Sequence, residues 1–547
     1  MSNSLINTAM SGLQAAQIAL GTVSNNLTKS RVSGYNRQST VINQNGGTMT
    51  SIGFMGNGVT VTSINRQYNE FINNQLSAAQ EKQSGLIAYS QQISKIDNLL
   101  ADKANNLSNT IDDFFTSLRN VISNAEDDAA RTTTIGTAKG LVNQLKSADT
   151  FLRNTENNIN KGITSTVESI NDVAQQIAKL NGEITRMKGG SSAEPNALLD
   201  QRDELVNDLN KLVGVSVTQQ DGDSYNVTFA GGLTLVQGTT AYKVDAVSSN
   251  TNSSRITLGY ERGFGDVVEI NEKFINQGKL GGIFRARSEV LDNSRNQLNQ
   301  LALVLGDQFN QVHRSGFDLK GEPGKDFFTF NNPDVISNSK NKGSADFKVE
   351  YSNTSEVKAS DYHISYDGAN WKIQRASDKV DISAKVTGNT LEFDGLKVEI
   401  NSTNAIENDQ YTLRAVSGAI GGMEVNVDAS QFAAAGTKDS GPSDNVNVKK
   451  LAELQSKKLV DGKASFSGAY ASMVSTIGNQ TSTANVDLET QNNITKQLYA
   501  EQQSVSGVNI DEEYGALQSL QQYYLANAQV IQTATTLFNA ILDLRRG

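Results

Sequence analysis

The chain begins and ends with the same pattern, a long heptad repeat on a stretch without charge. Ile6, Ala9, Leu13, Ala16, Leu20, Val23 and Leu27 are spaced alternately three and four apart. That spacing lays one apolar stripe along a helix, as in the seam of a coiled coil. No side chain from Ser2 to Thr28 is charged. Leu517, Leu520, Tyr524, Asn527, Ile531, Ala534, Phe538 and Ile541 repeat the spacing at the other end, and nothing between Glu513 and Asp543 is charged. A helix with a solvent face ordinarily carries charges there. These helices carry Ser, Thr, Asn and Gln instead, which suits a helix surrounded by other polypeptide. Asn527 sits on the seam, where a polar residue costs stability but can fix register.

Energetics point the same way. Burying a large seam residue contributes about 1.5–3 kcal/mol, while ordering each residue costs about 1–2 kcal/mol. One seam on a helix of this length does not hold itself. The two ends are therefore expected to pair as a coiled coil and to become fully ordered only in an assembly. The first helix should stop between Asn25 and Gly34, where Asn, Ser and Gly accumulate. Asp511, Glu512 and Glu513 at the start of the last helix, and Arg545 and Arg546 at its end, match the helix dipole. Asn509 with Glu512 reads as a variant capping box.

Composition excludes much chemistry. The 547 residues allow three to four domains. The absence of Cys removes disulfides, thiolate zinc sites, iron–sulfur clusters and a Cys nucleophile. The two histidines, His313 and His363, leave no multi-His metal site. A net charge of −10 argues against nucleic acid as a partner. No apolar run reaches the roughly 18 residues of a membrane span, and nothing near Met1 reads as a cleaved signal peptide. Asn and Gln make up about a sixth of the chain. The charge is uneven: no acid precedes Glu70, and the first 69 residues carry only Lys29, Arg31, Arg37 and Arg66. The acidic balance belongs to the middle of the chain.

That middle reads as an elongated α+β molecule, mainly α. Residues 39–65 alternate Gly with β-formers and read as a strand-rich linker. Helical spacing returns from Gln67 and includes a run of over forty residues from Leu141 to Ile184, the mark of a rod. Gly189 to Ser192 should break it. Period-two strands occupy about 214–275, and an all-strand stretch fills 325–440. The predicted organisation is a terminal unit of 1–38 with 510–547, a helical rod of 66–324 with 441–509, and an inserted β domain of 325–440.

Candidate chemical motifs are thin. Asp318-x-x-Gly321-x-x-Gly324-x-Asp326 lacks the alternating oxygen ligands and terminal Glu of a calcium loop and reads as a turn. His313 reads as a hydrogen-bonded structural histidine. Asp200, Arg202 and Asp203 read as structural ion pairing. Gly231-Gly232 and Gly281-Gly282 read as turn glycines. No catalytic, cofactor or metal site is expected.

The ends carry a specific resemblance. Leu5, then Ala9-Met10-Ser11-Gly12-Leu13, Ser24-Asn25-Asn26 and Gly34-Tyr35-Asn36-Arg37 resemble the N-terminal signature of bacterial flagellar rod, hook and hook-associated proteins. Ser506-Gly507-Val508-Asn509-Ile510-Asp511-Glu512-Glu513 and Gln522 to Ala528 resemble their C-terminal signature. Phe114-Phe115 with Arg131, Leu198 to Asp203, Gly278 to Gly282, and Gly316-Phe317-Asp318 with Phe327-Phe328 narrow the resemblance to the hook–filament junction. It covers nearly the whole chain, most weakly 330–440.

The resemblance implies a structural axial protein without catalytic activity, exported through the flagellar type III channel with no cleaved signal. It implies a ring of copies between hook protein and hook-associated protein 3, and an export chaperone on the C-terminal helix. No nucleic acid and no membrane insertion are expected. Alternatives are an axial scaffold carrying a surface- or glycan-binding β domain, an enzyme grafted at 325–435, or a cytosolic coiled-coil protein.

Overall fold

A computed structural model describes residues 2–50, 53–102, 106–190, 193–263 and 265–546. Helix α1 (Ser2–Lys29) is followed by a β-ribbon of β1 (Gln38–Gln44), β2 (Gly47–Thr50), β3 (Gly53–Gly56) and β4 (Val59–Arg66). Helices α2 (Glu70–Leu100), α3 (Leu107–Ser123), α4 (Asp128–Gly190) and α5 (Asn196–Val213) come next. The break expected from Gly189 to Ser192 does not begin at the glycines, since Gly189 and Gly190 are still helical in α4, and Ser191 and Ser192 lie outside the described residues. At about 1.5 Å per residue, the 63-residue α4 runs roughly 95 Å and sets the length of the rod.

Two small sheets follow on one side of α4. One is β5 (Val215–Gln219), β6 (Tyr225–Phe229), β7 (Leu233–Gln237) and β8 (Thr240–Ala241), paired in that order. The other is β9 (Val244–Ser248), β10 (Ile256–Glu261) and β11 (Val267–Glu269). Helix α6 (Gly278–Ala286) runs through one π-helical turn into α7 (Asp292–Arg314). Gly281 and Gly282 are not turn residues but lie inside α6. A Cβ on Gly282 would run into the carbonyl of Gly85, so the glycines let α6 press onto the backbone of α2. Gly231 and Gly232 do take positive φ in a turn, at 79° and 119°.

Between α7 and the last helices lie the remaining strands. These are β12 (Phe328–Thr329), β13 (Asp334–Ser337), β14 (Ser344–Tyr351), β15 (Asp361–Tyr366), β16 (Trp371–Arg375), β17 (Asp381–Ile382), β18 (Lys385–Thr387), β19 (Thr390–Phe393), β20 (Leu396–Asn404), β21 (Gln410–Arg414) and β22 (Glu424–Val425). They form an antiparallel sheet ordered β13-β21-β15-β16-β17 and another ordered β14-β20-β19-β18. Tyr362, Ile364, Leu396, Val398, Tyr411 and Leu413 are buried between them in a core of their own, which Leu303 of α7 joins. The pair β12–β22 packs elsewhere: Phe327, Phe328, Ile420, Met423, Val427 and Phe432 belong to the rod core. There the rings of Phe114, Phe309, Phe327 and Phe328 meet tilted or edge to face. The chain returns through α8 (Val446–Glu453), α9 (Phe466–Ser506) and α10 (Ile510–Arg546). Helix α9 lies along α2, with Gln491 Nε2 donating to the Ala79 carbonyl at 3.0 Å and Ser90 Oγ to Asn485 Oδ1 at 2.8 Å.

The abundance of amides has a structural use. Asn171 on α4 donates to the Val244 carbonyl (2.8 Å) and accepts from the Val244 N–H (3.0 Å). Asn181 does the same with Tyr225, and Asn310 on α7 with Phe328. Each carboxamide stands in for a neighbouring strand residue and satisfies backbone groups that a helix packed on a strand would otherwise leave unpaired.

Candidate assembly site

Helix α1 packs along α10. Asn26 Nδ2 donates to Glu513 Oε2 at 3.0 Å, and a Cβ on Gly12 would lie 2.6 Å from Asn527 Oδ1. The two pairs share one antiparallel register, in which Ser2 comes opposite Leu537. The seam residues face inward along this overlap. Ala9, Ala16 and Val23 are buried, and Ile6, Leu13, Leu20 and Leu27 are half-buried. Opposite them Leu517, Leu520, Tyr524, Asn527 and Ile531 are half-buried and Ala534 is buried. Phe538 and Ile541 lie beyond the end of α1, and both are exposed. Asn527 donates back to the Tyr523 carbonyl, so its amide fills the gap at Gly12 without a partner side chain across the seam.

Helix α1 has a second buried stripe that the heptad reading missed. Ala15, Ala19, Thr22 and Asn26 are buried as well. They face the β1–β4 ribbon, where Thr40 Oγ1 donates to Thr22 Oγ1 (3.2 Å) and the Val59 N–H donates to Ser11 Oγ (3.1 Å). Gly58, at φ 89°, lies so close to Ser11 that a Cβ would overlap it. The spacing of Ala15, Ala19, Thr22 and Asn26, four, three and four apart beside the main seam, was the available signal.

At the inner end of α1 the signature residues converge. Asn26 Oδ1 accepts from Tyr35 Oη (2.7 Å) and from the Gln38 N–H (3.0 Å), while its Nδ2 also donates to the Gln38 carbonyl (2.9 Å). Arg37 grips the start of α10 through Glu513 (2.7 Å) and Glu512 (3.0 Å), and its own N–H donates to the Ser506 carbonyl. Gly507 caps α9 where a Cβ would collide with the Gln503 carbonyl. Asn509 then caps α10, accepting from the N–H groups of Asp511 (3.0 Å) and Glu512 (3.4 Å). Its Nδ2 lies 3.5 Å from Glu512 Oε1, so Asn509 and Glu512 do meet, through side chains.

The same joint is anchored to the rod. Asp200 on α5 accepts from the Asn36 side chain (2.6 Å), from the Asn36 N–H (3.2 Å) and from Arg66 (3.0 Å), and Arg66 also pairs with Asp203 at 2.7 Å. Gly34, at φ 75°, rests on Glu204, where a Cβ would come within 2.9 Å. Arg202 is buried, stacked 3.4 Å from the Tyr225 ring centroid and donating to Asn181 Oδ1. Burial pushes the Asp200 carboxyl up, against the hydrogen bonds from Asn36 and Arg66. Burial works against the Arg66 charge, but Asp203 and Asp200 outweigh it and raise its pKa. Tyr35 is pushed up to about 12 by burial and by the carboxylates of Asp200 and Glu513. Ser24 and Asn25 stay outside this network, exposed, with their carbonyls taken by the Thr28 hydroxyl. The sequence reading had Asn36 in the signature and Arg66 among the lone basic residues, but gave neither a partner, and it missed Glu204. The acid-free first 69 residues were the signal, since lone arginines there need acids from distant parts of the chain.

Nothing in this joint resembles chemistry. Among the described residues no group of His, Asp and Glu could hold a metal ion. His313 is fully buried, with Nδ1 on the Lys325 carbonyl (2.6 Å) and Nε2 accepting from the Ala433 N–H (2.9 Å); burial lowers its pKa to about 4. Asp318 folds its loop by accepting from the N–H groups of Lys320 and Glu322. Arg131 is buried and bonds the carbonyls of Ala125 and Phe432, tying α4 to the rod core.

Two chain ends closed into one helical unit and keyed to a long rod define a structural, axial type of protein. Residues 6–28 match the family "Flagella basal body rod protein". Residues 93–328 match the "Flagellar hook-associated protein FlgK helical domain", and 336–415 the "Flagellar hook-associated protein 1, D2-like domain". The chain is 49% identical to flagellar hook-associated protein 1 of Salmonella typhimurium, over 99% of this chain and 100% of that protein. It is 48% identical to that of Escherichia coli over the same shares. The solved structure of the flagellar hook junction protein FlgK from Burkholderia pseudomallei superposes with a TM-score of 0.74 at 26% identity, covering 79% of this chain and all of that one. The chain belongs to the flagellar hook-associated protein 1 family. It is a structural component of the hook–filament junction, in the axial polymer of the extracellular flagellum, and not an enzyme.

Proposed function

We propose that the α1–α10 pair is the segment through which copies of this chain polymerise, as a coiled-coil inner tube around the export channel. The observation that carries this is the outer surface of the pair. Leu5, Met10, Ile18, Leu525, Val530, Leu537, Phe538 and Ile541 are all 41% or more exposed, on helices with no charge between Ser2 and Thr28 or between Glu513 and Asp543. Such a surface is stable only when covered. Phe538 and Ile541, beyond the reach of α1, complete their seam against a neighbouring copy.

In this reading the terminal unit is 1–38 with 510–547, the rod is 66–324 with 441–509, and the inserted β domain at 325–440 faces outward. Packing favours trimming the outer unit to about 330–419, because β12, β22 and Phe432 serve the rod core. The ring contacts hook protein on one side and hook-associated protein 3 on the other. Before export, unfolded and without a cleaved signal, the C-terminal helix is held by a chaperone.

Deleting 511–547 should abolish junction assembly while leaving rod and sheets folded. Leu520→Asp and Ile531→Asp should each do the same. Electron microscopy of a strain carrying these variants is the test, and normal filaments on them would sink the reading.

A further inference from the structure

We infer that β5 is a docking edge, and that it takes the β2–β3 ribbon of a second copy as an added strand. The inference rests on ring assembly of the chain. Strand β5 (Val215–Gln219) ends its sheet, paired only with β6. The Gln220 N–H bonds the Ser224 carbonyl, and in an antiparallel ladder bonded pairs alternate. Ser216 and Thr218 therefore bond to β6, and Val215, Val217 and Gln219 turn their N–H and C=O groups outward. Asn210 Oδ1 takes the Val215 N–H at 2.8 Å. The outward groups of Val217 and Gln219 open onto a groove of about 1250 Å³ beside the joint, lined also by Tyr35, Arg66 and Tyr499. Edges of this kind ordinarily carry a Lys, a Pro or a bulge against unwanted pairing. Val-Ser-Val-Thr-Gln has none of these, which marks an edge kept open for a strand.

The ribbon supplies the complement. Strands β2 and β3 are the tip of the β1–β4 ribbon, continuing its register, and a two-stranded ribbon is only marginally stable by itself. Met49 pairs across from Phe54 on one face, 79% and 65% exposed. No residue from Gln38 to Asn65 is charged. The groove wall holds both signs, including Arg31, Lys211, Asp203 and Glu204. An uncharged strand can enter it without bringing an ion that must be desolvated. Four-residue strands of roughly 13 Å fit along a five-residue edge of roughly 17 Å. The contact joins two different surfaces, so it repeats head to tail and can close into a ring.

The chain has no Cys, so introduced thiols report cleanly. Val217→Cys would be combined with Met49→Cys or with Met55→Cys, covering both ribbon edges. Isolated hook–filament appendages would then be oxidised. Cross-linked dimers and higher multimers from either pair, at least tenfold above each single variant, are expected. A pair of Val217→Cys with Val386→Cys, on the outer sheets, should stay monomeric. Assembled appendages that yield no multimers, or equal yields from the control pair, would overturn the proposal. Recovery of the chain in sheared appendages reports ring assembly separately. Val217→Pro removes only an outward N–H, which an edge strand tolerates. It should cut filament number at least tenfold with the fold intact; unchanged filament number would count against the docking edge.

Discussion

Gly12 and Asn527 meet across the α1–α10 contact, and a methyl group does not fit unless the Asn527 amide moves. Gly12→Ala should cost about 1–3 kcal/mol of local packing. Hydrogen exchange should show α1 and α10 opening sooner while α4 is unchanged. Asn527→Ala in the same chain should restore most of the protection. His313 is a second residue whose surroundings decide its behaviour. It is neutral and enclosed in the fold, with a pKa of about 4 against an ordinary 6.5. Between those values the unfolded chain binds the extra proton, so its share of stability is whole near pH 7 and drains away as the pH falls from 6.5 to 4. About 3 kcal/mol is at stake. The stability gap between the protein and His313→Gln should therefore narrow over that window in denaturant titrations. Neither effect is visible in the sequence, which shows a glycine in a helical pattern and a histidine near an apolar face.

Among the elements, α1 was the most legible and yet only half read. Its heptad stripe is covered in part, with Ala9, Ala16 and Val23 buried and Ile6, Leu13, Leu20 and Leu27 half-buried against α10. Its alanine stripe is buried for a different reason, the β1–β4 ribbon. Its residues, Ala15, Ala19, Thr22 and Asn26, keep the helical period but are small or polar, so the spacing alone did not mark them as buried. The joint that fixes the ribbon and both helices depends on pairs such as Arg37–Glu513, 476 positions apart. Local pattern has no hold on such distances. Removing Arg37 leaves Glu513, with 2% of its side chain exposed, bonded only by Asn26. Arg37→Ala should therefore cost about 2–3 kcal/mol. A double-mutant cycle with Glu513→Gln, read by thermal unfolding, should show coupling of at least 0.5 kcal/mol.

For the whole molecule, the two sheets formed by β13 to β21 and the long helices have separate cores, and the chain crosses between them at β12 and β22, where Phe328 pairs with Val425. Replacing about 333–417 by a short Gly-Ser link should leave the rod helical and able to assemble, with a lower melting temperature because Leu303 and Gln300 lose their cover. Circular dichroism and microscopy of the complemented strain check this. Periodicity and charge by themselves determined that the chain has two uncharged seam helices, a long rod and a late all-strand stretch. Burial and solvation act residue by residue along one element, and a single sequence records them. What only the tertiary structure decided is which surfaces meet: the antiparallel register at Gly12, the carboxamides that stand in for strands, the joint at Arg37 and Asp200, and the open edge of β5. Those depend on distances across hundreds of residues, which are set by how rigid elements pack in space and leave no local trace.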